Sequence, residues 1–65
     1  MQVGDRIRDI EDGDCYFEGI VTDNTLLNVK YIVDKVVWNG EILEDDDYIG
    51  KEIRPKWWYC ENISK

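Results

Sequence analysis

The sequence predicts an all-β fold, a small antiparallel barrel of five to six short strands. Three observations carry that expectation. Helical periodicity is weak throughout, because no window of about eleven residues keeps apolar positions at i, i+3, i+4 and i+7 without a competing strand pattern. Segments that alternate apolar and polar residues recur instead, with turn signals roughly every eight to twelve residues. Those segments also hold the β-branched and aromatic residues, above all in "LNVKYIVDKVVW".

The first strand is expected in "QVGDRIRDI", with Val3, Ile7 and Asp5 toward one face, ending at "EDGD", where Gly13 supplies a turn. In the second, "CYFEGIVT", residues Cys15, Phe17, Gly19 and Val21 share one face and Tyr16, Glu18 and Thr22 the other, and "DNT" turns the chain. The third strand sets Val29, Tyr31 and Val33 against Lys30, Ile32 and Asp34, with a bend near Asp34 and Lys35. Asn39-Gly40 is a strong hairpin signal, since both central residues of a type I′ turn need positive φ, and a two-residue loop there pairs Trp38 with Glu41 and Val37 with Ile42. After the acids of "EDDD" the chain returns through "YIGKEIRP", where Pro55 lacks the N–H a ladder needs, and "KWWYCENI" forms a short turn and a closing strand.

With 65 residues opening on a methionine, the chain is expected to be one complete module spanning residues 1–65. Its 43% hydrophobic content, including three Trp, four Tyr and one Phe, suffices for a core despite a net charge of −7. No apolar run approaches the roughly 18 residues of a membrane span, and "MQVGDRIRDI" lacks the apolar centre of a signal peptide, so the expected location is cytoplasmic, with no membrane partner. Two cysteines, Cys15 and Cys60, and no histidine leave no zinc spacing and no His-dependent triad. The cysteines read as small, partly buried side chains, because a reducing compartment disfavours a bridge.

At this point the residues resemble the SH3-like barrels of the Tudor and KOW type. The resemblance rests on "VGDRI" opening a first strand, "EGIV" after a short loop and "VKYIV" in a third strand, and covers about two-thirds of the chain. In such Tudor-like domains, aromatics near the first loop and on the second and third strands cage methylated lysine or arginine by cation–π attraction. The nearest matches are Tyr16, Tyr31 and Trp38, although Tyr31 shares its strand face with Val29 and Val33, which argues for the core.

Glu44, Asp45, Asp46 and Asp47, with Glu41, place five acids and no base in one short stretch. Adjacent carboxylates about 7 Å apart repel by about 0.6 kcal/mol in water, so the run belongs on an exposed loop. A calcium loop needs alternating acids, a central Gly and a terminal Glu, which neither "EDDDYIGKEI" nor "DIEDGDCYF" provides, and no cofactor or metal is expected. With 15 acids against 8 bases, bulk electrostatics oppose direct nucleic-acid binding and favour a protein partner with a basic surface. Tyr48 follows the acids directly, and because the adjacent Trp57 and Trp58 point to opposite faces of a strand, one of them is expected to reach the surface as an anchor. Lys51, Arg54 and Lys56 come next and are placed to pair with Asp45 to Asp47 across a hairpin.

Catalysis is not expected. Histidine is absent, the single serine is Ser64, and the acids near Cys15 are not the electropositive setting that a nucleophilic thiol needs. The sequence thus points to a non-enzymatic protein-binding module whose surface comprises Glu44, Asp45, Asp46, Asp47, Tyr48, Trp57 and Trp58. The first alternative is an acidic mimic of nucleic acid, like small acidic proteins of phages, that inhibits a DNA- or RNA-handling enzyme. The second is a Tudor-like reader using Tyr16, Tyr31 and Trp38. Oligomeric state is left open, since an edge strand can pair two copies.

Overall fold

The computed structural model describes residues 2–25, 28–55 and 60–64. Their regular structure is all β: β1 (Arg6–Asp12), β2 (Cys15–Thr25), β3 (Asn28–Trp38), β4 (Glu41–Ile42), β5 (Glu52–Ile53) and β6 (Cys60–Asn62). Pairing is antiparallel throughout, in the order β4-β3-β2-β1-β6, with β5 also pairing β3. Among the described residues no helix is long and apolar enough to cross a membrane.

The inner face follows the expected alternation. Ile7, Val21, Tyr31, Val33 and Val36 form the buried cluster, and Phe17, Val29, Leu43, Ile49, Ile53 and Cys60 pack against it. Cys60 on β6 and Ile53 on β5 come from opposite edges of the sheet yet meet the same cluster, so the sheet curls around its core in a way compatible with a small barrel.

Three bulges give that curl. Register shifts leave Glu11, Asp34 and Thr22 as extra residues in β1, β3 and β2. The bulge at Asp34 lets both Val33 and Val36 face inward, which realises the bend expected near Asp34 and Lys35. The hairpin between β3 and β4 also forms as expected, with φ of 53° at Asn39 and 79° at Gly40, and with Val37 opposite Ile42 and Trp38 opposite Glu41.

Three expected boundaries differ. Val3 and Asp5 are not in the first strand: the chain turns there, with Gly4 at φ 94° and the Asp5 N–H donating to the Gln2 carbonyl, and Val3 is exposed. The second strand does not turn at "DNT" but continues through Thr25, because the Thr22 bulge restores pairing of Asp23 with Lys30. "YIGKEIRP" contributes only Glu52–Ile53 as strand, since Tyr48 to Gly50 form turns and Pro55 follows.

Candidate interaction site

The loop after β4 is built by its own acids. Asp46 accepts the Tyr48 N–H on Oδ1 at 2.9 Å and the Ile49 N–H on its carbonyl at 3.1 Å, the local bonding that suits aspartate to turns. Gly50, at φ 89°, donates its N–H to the Val33 carbonyl at 2.7 Å, and Val33 donates to Lys51 at 3.0 Å. These bonds clamp the loop to β3, turn Ile49 toward the core and lay Tyr48 over Phe17, with ring centroids 5.1 Å apart. Glu44, Asp45 and Asp47 are exposed, whereas Asp46 is half-buried. The Lys51 ammonium lies 5.5 Å from the Tyr48 ring centroid, and no ion pair joins it to Asp45, Asp46 or Asp47.

Beside this loop opens a groove of about 540 Å³. Phe17, Val36, Leu43 and Ile53 give it an apolar floor, while Trp38, 39% exposed, and Tyr48, 45% exposed, stand at its rim. Among the described residues Asp9, Glu11 and Asp46 also line it, against one base, Arg54. The Glu11 bulge and the Asp46 turn are therefore what bring carboxylates from two distant segments to one apolar opening.

Beneath the groove, Tyr31 donates its hydroxyl to Asp9 Oδ2 at 2.7 Å, with Tyr31 fully buried and Asp9 4% exposed. Burial first, and the Asp9 hydrogen bond second, push ionisation of Tyr31 well above its ordinary range. Cys60, paired opposite Asp9, has its thiol pushed up to about 11 by burial and then by the Asp9 charge, so it is not a poised nucleophile. Among the described residues no group of three or more Cys, Asp or Glu converges to hold a metal ion.

The outer face of the sheet carries a different arrangement. Glu18, 4% exposed, accepts from Arg6 at 3.1 Å and from Arg8 at 2.9 Å, and Arg6 also forms a two-pronged pair with Asp34 at 2.6 and 2.9 Å. Hydrogen bonding to Asp34, and secondarily to Glu18, raises the pKa of the Arg6 guanidinium. Arg8 lies over the Tyr16 ring, 4.4 Å from its centroid.

The three residues matched to an aromatic cage are not brought together. Tyr31 is sealed in the core, since its ring fills the space under the sheet and its hydroxyl is held by Asp9. Tyr16 neighbours Phe17 on β2 and so faces away from the groove, where Arg8 covers it. Trp38 alone of the three lines the opening, joined there by Phe17 and Tyr48. Of the residues assigned to a partner surface, Asp46 and Tyr48 line the groove, and Glu44, Asp45 and Asp47 lie exposed on the adjoining loop. Trp57 and Trp58 lie outside the described residues. Glu11, Phe17, Leu43 and Ile53 were not singled out, although the shared strand face of Phe17 with Gly19 and Val21 was a signal for Phe17.

The fold and site together define a small all-β protein with an acidic, aromatic-rimmed groove. Comparison with protein-family models, with curated proteins and with solved structures finds no match for this chain.

Proposed function

We propose that this protein is a non-enzymatic binding module that docks a protein partner through an acidic and aromatic surface. The observation that carries this reading is the convergence of Asp46, Trp38 and Tyr48 on one groove, with Glu44, Asp45 and Asp47 exposed beside it. Acids and rings then form one surface, and a partner bearing basic groups around an apolar centre complements both. An SH3-like arrangement of the Tudor or KOW type belongs to this proposal, supported by the β6-β1-β2-β3-β4 strand order and the curl around the core. A reducing compartment such as the cytoplasm also belongs to it, supported by the free thiols of Cys15 and Cys60.

A second reading, mimicry of nucleic acid, is favoured by the exposed carboxylates of Glu44, Asp45 and Asp47 alone. One experiment separates the two: affinity capture from source-cell lysate with the wild type, Trp38→Ala and a Glu44→Gln/Asp45→Asn/Asp47→Asn variant, washed at low and then high salt. A module of the proposed kind retains its partner through high salt and loses it in Trp38→Ala. A mimic releases a nucleic-acid enzyme with salt and loses it in the charge-neutral variant. Identical capture by all three proteins defeats both readings.

A further inference from the structure

We propose that the groove receives an apolar anchor side chain from a partner segment, and that the residue beside that anchor is lysine or arginine. The inference rests on the protein-binding reading above and names the chemistry of the partner. The floor of Phe17, Val36, Leu43 and Ile53 suits an aliphatic or aromatic side chain, which gains by leaving water there. A bare ammonium on that floor would lose its hydration without full compensation, so the cation belongs at the rim.

The rim is built for a cation. Glu11, exposed on the β1 bulge, and Asp46, held by its turn, line the opening together with the part-exposed rings of Trp38 and Tyr48. A long basic side chain packs its methylenes on the Trp38 ring and carries its charge to the carboxylates. The chain already uses both contacts for its own bases, since Lys51 lies over Tyr48 and Arg8 over Tyr16 while pairing with Glu18. Among the described lining residues three carboxylates stand against one guanidinium, a balance that disfavours an acidic partner segment.

The test is selection of a random peptide library on the full-length protein, followed by fluorescence-polarisation titration of the enriched peptides. The expected peptides share an apolar residue next to Lys or Arg, and changing either that anchor to Ala or the base to Glu weakens binding at least tenfold. Trp38→Ala should weaken binding at least tenfold, with its circular dichroism checked against the wild type. Asp46→Asn keeps an Oδ1 acceptor for the Tyr48 N–H, so a severalfold loss in that variant reports charge rather than loop geometry. Glu11→Lys supplies a readout independent of folding, because it should bind the base-to-Glu peptide better than the wild type does.

Peptides without a basic residue, or unchanged affinity in both Trp38→Ala and Glu11→Lys, overturn this inference and leave the protein-binding reading standing. A trimethyl-lysine anchor that outbinds the apolar anchor tenfold overturns it in favour of a cage of rings. Failure to enrich any peptide overturns it too, and the lysate capture then decides the wider reading separately.

Discussion

Tyr31 on β3 donates its hydroxyl to Asp9 on β1 at 2.7 Å, reaching past β2 beneath the sheet, and both side chains are buried. The contact ties two non-adjacent strands on the inner face of the fold, directly below the groove that Asp9 helps to line. A phenol at this depth keeps its polar end satisfied while its ring fills the core, which explains why the largest fully buried side chain among the described residues is a tyrosine rather than a phenylalanine.

Tyr31→Phe removes that donor while leaving the ring in place. A hydrogen bond to a charged group contributes about 1.5–3 kcal/mol, so the variant should lose about that much unfolding free energy and unfold at a correspondingly lower urea midpoint. The slope of the transition should not change, because the buried apolar surface is preserved. An unchanged midpoint would show that the carboxylate gains nothing from the phenol.

Alkaline pH acts on the same cluster. Tyr31 has its pKa raised above the ordinary 10.0, and Cys60 is raised from 9.0 to about 11. Between the unfolded and folded values the native state holds more protons than the unfolded state, so stability falls as pH rises. The contribution of these groups is complete below pH 9 and declines from there, through about 11 for Cys60 and beyond it for Tyr31. Thermal unfolding followed from pH 7 to 11 should therefore lose midpoint temperature above pH 9. A Tyr31→Phe/Cys60→Ala double variant should have a flatter profile, and an equally steep one would place the alkaline loss elsewhere.

How much of this was legible in the sequence depends on the range of the interactions. The hairpin at Asn39-Gly40 and the alternation through Val29, Tyr31 and Val33 are local, so spacing and turn chemistry sufficed to place them. Alternation places Glu18 on the face opposite Phe17 but does not show that it is buried. Its burial depends on Arg6 and Arg8 from the neighbouring strand, a pairing set by register rather than by sequence proximity. The groove was legible only in part. Asp46 and Tyr48 belong to the partner surface expected from the sequence, but their meeting with Phe17 and Trp38 goes with the Gly50 clamp onto Val33, which no short motif announces.

Gly19 is a position where even one methyl group lacks space. A Cβ built there would stand 2.0 Å from the Ile32 carbonyl oxygen and 2.7 Å from the Tyr31 ring, and a backbone atom cannot move aside as a flexible side chain can. Gly19→Ala should push β2 and β3 apart beside their most buried contact, and the cost is expected at about 3 kcal/mol or more, at the upper end for overpacking. Gly13→Ala meets nothing within 4 Å and serves as the matched control. Urea unfolding of both variants checks this, and equal midpoints would mean that the strands separate there at little cost.

Glu18 lies between two arginines and is nearly sealed from water, whereas Arg6 and Arg8 each keep about a third of their side-chain surface, 35%, exposed. Removing the carboxylate leaves two guanidinium groups close together without the anion that separates them. Breaking a fully buried pair costs about 3–5 kcal/mol, and because the arginines are partly solvated the expected loss for Glu18→Ala is smaller, about 2–3 kcal/mol. Asp34 is 42% exposed on its side chain, and Asp34→Asn should cost under about 1 kcal/mol although its contact with Arg6 is the shorter. Raising salt should narrow the effect of Asp34→Asn more than that of Glu18→Ala, because ions reach the exposed pair and not the buried one. Chemical denaturation of the two variants at low and high salt decides the matter: comparable losses would mean that the burial of Glu18 adds nothing to the strength of the network.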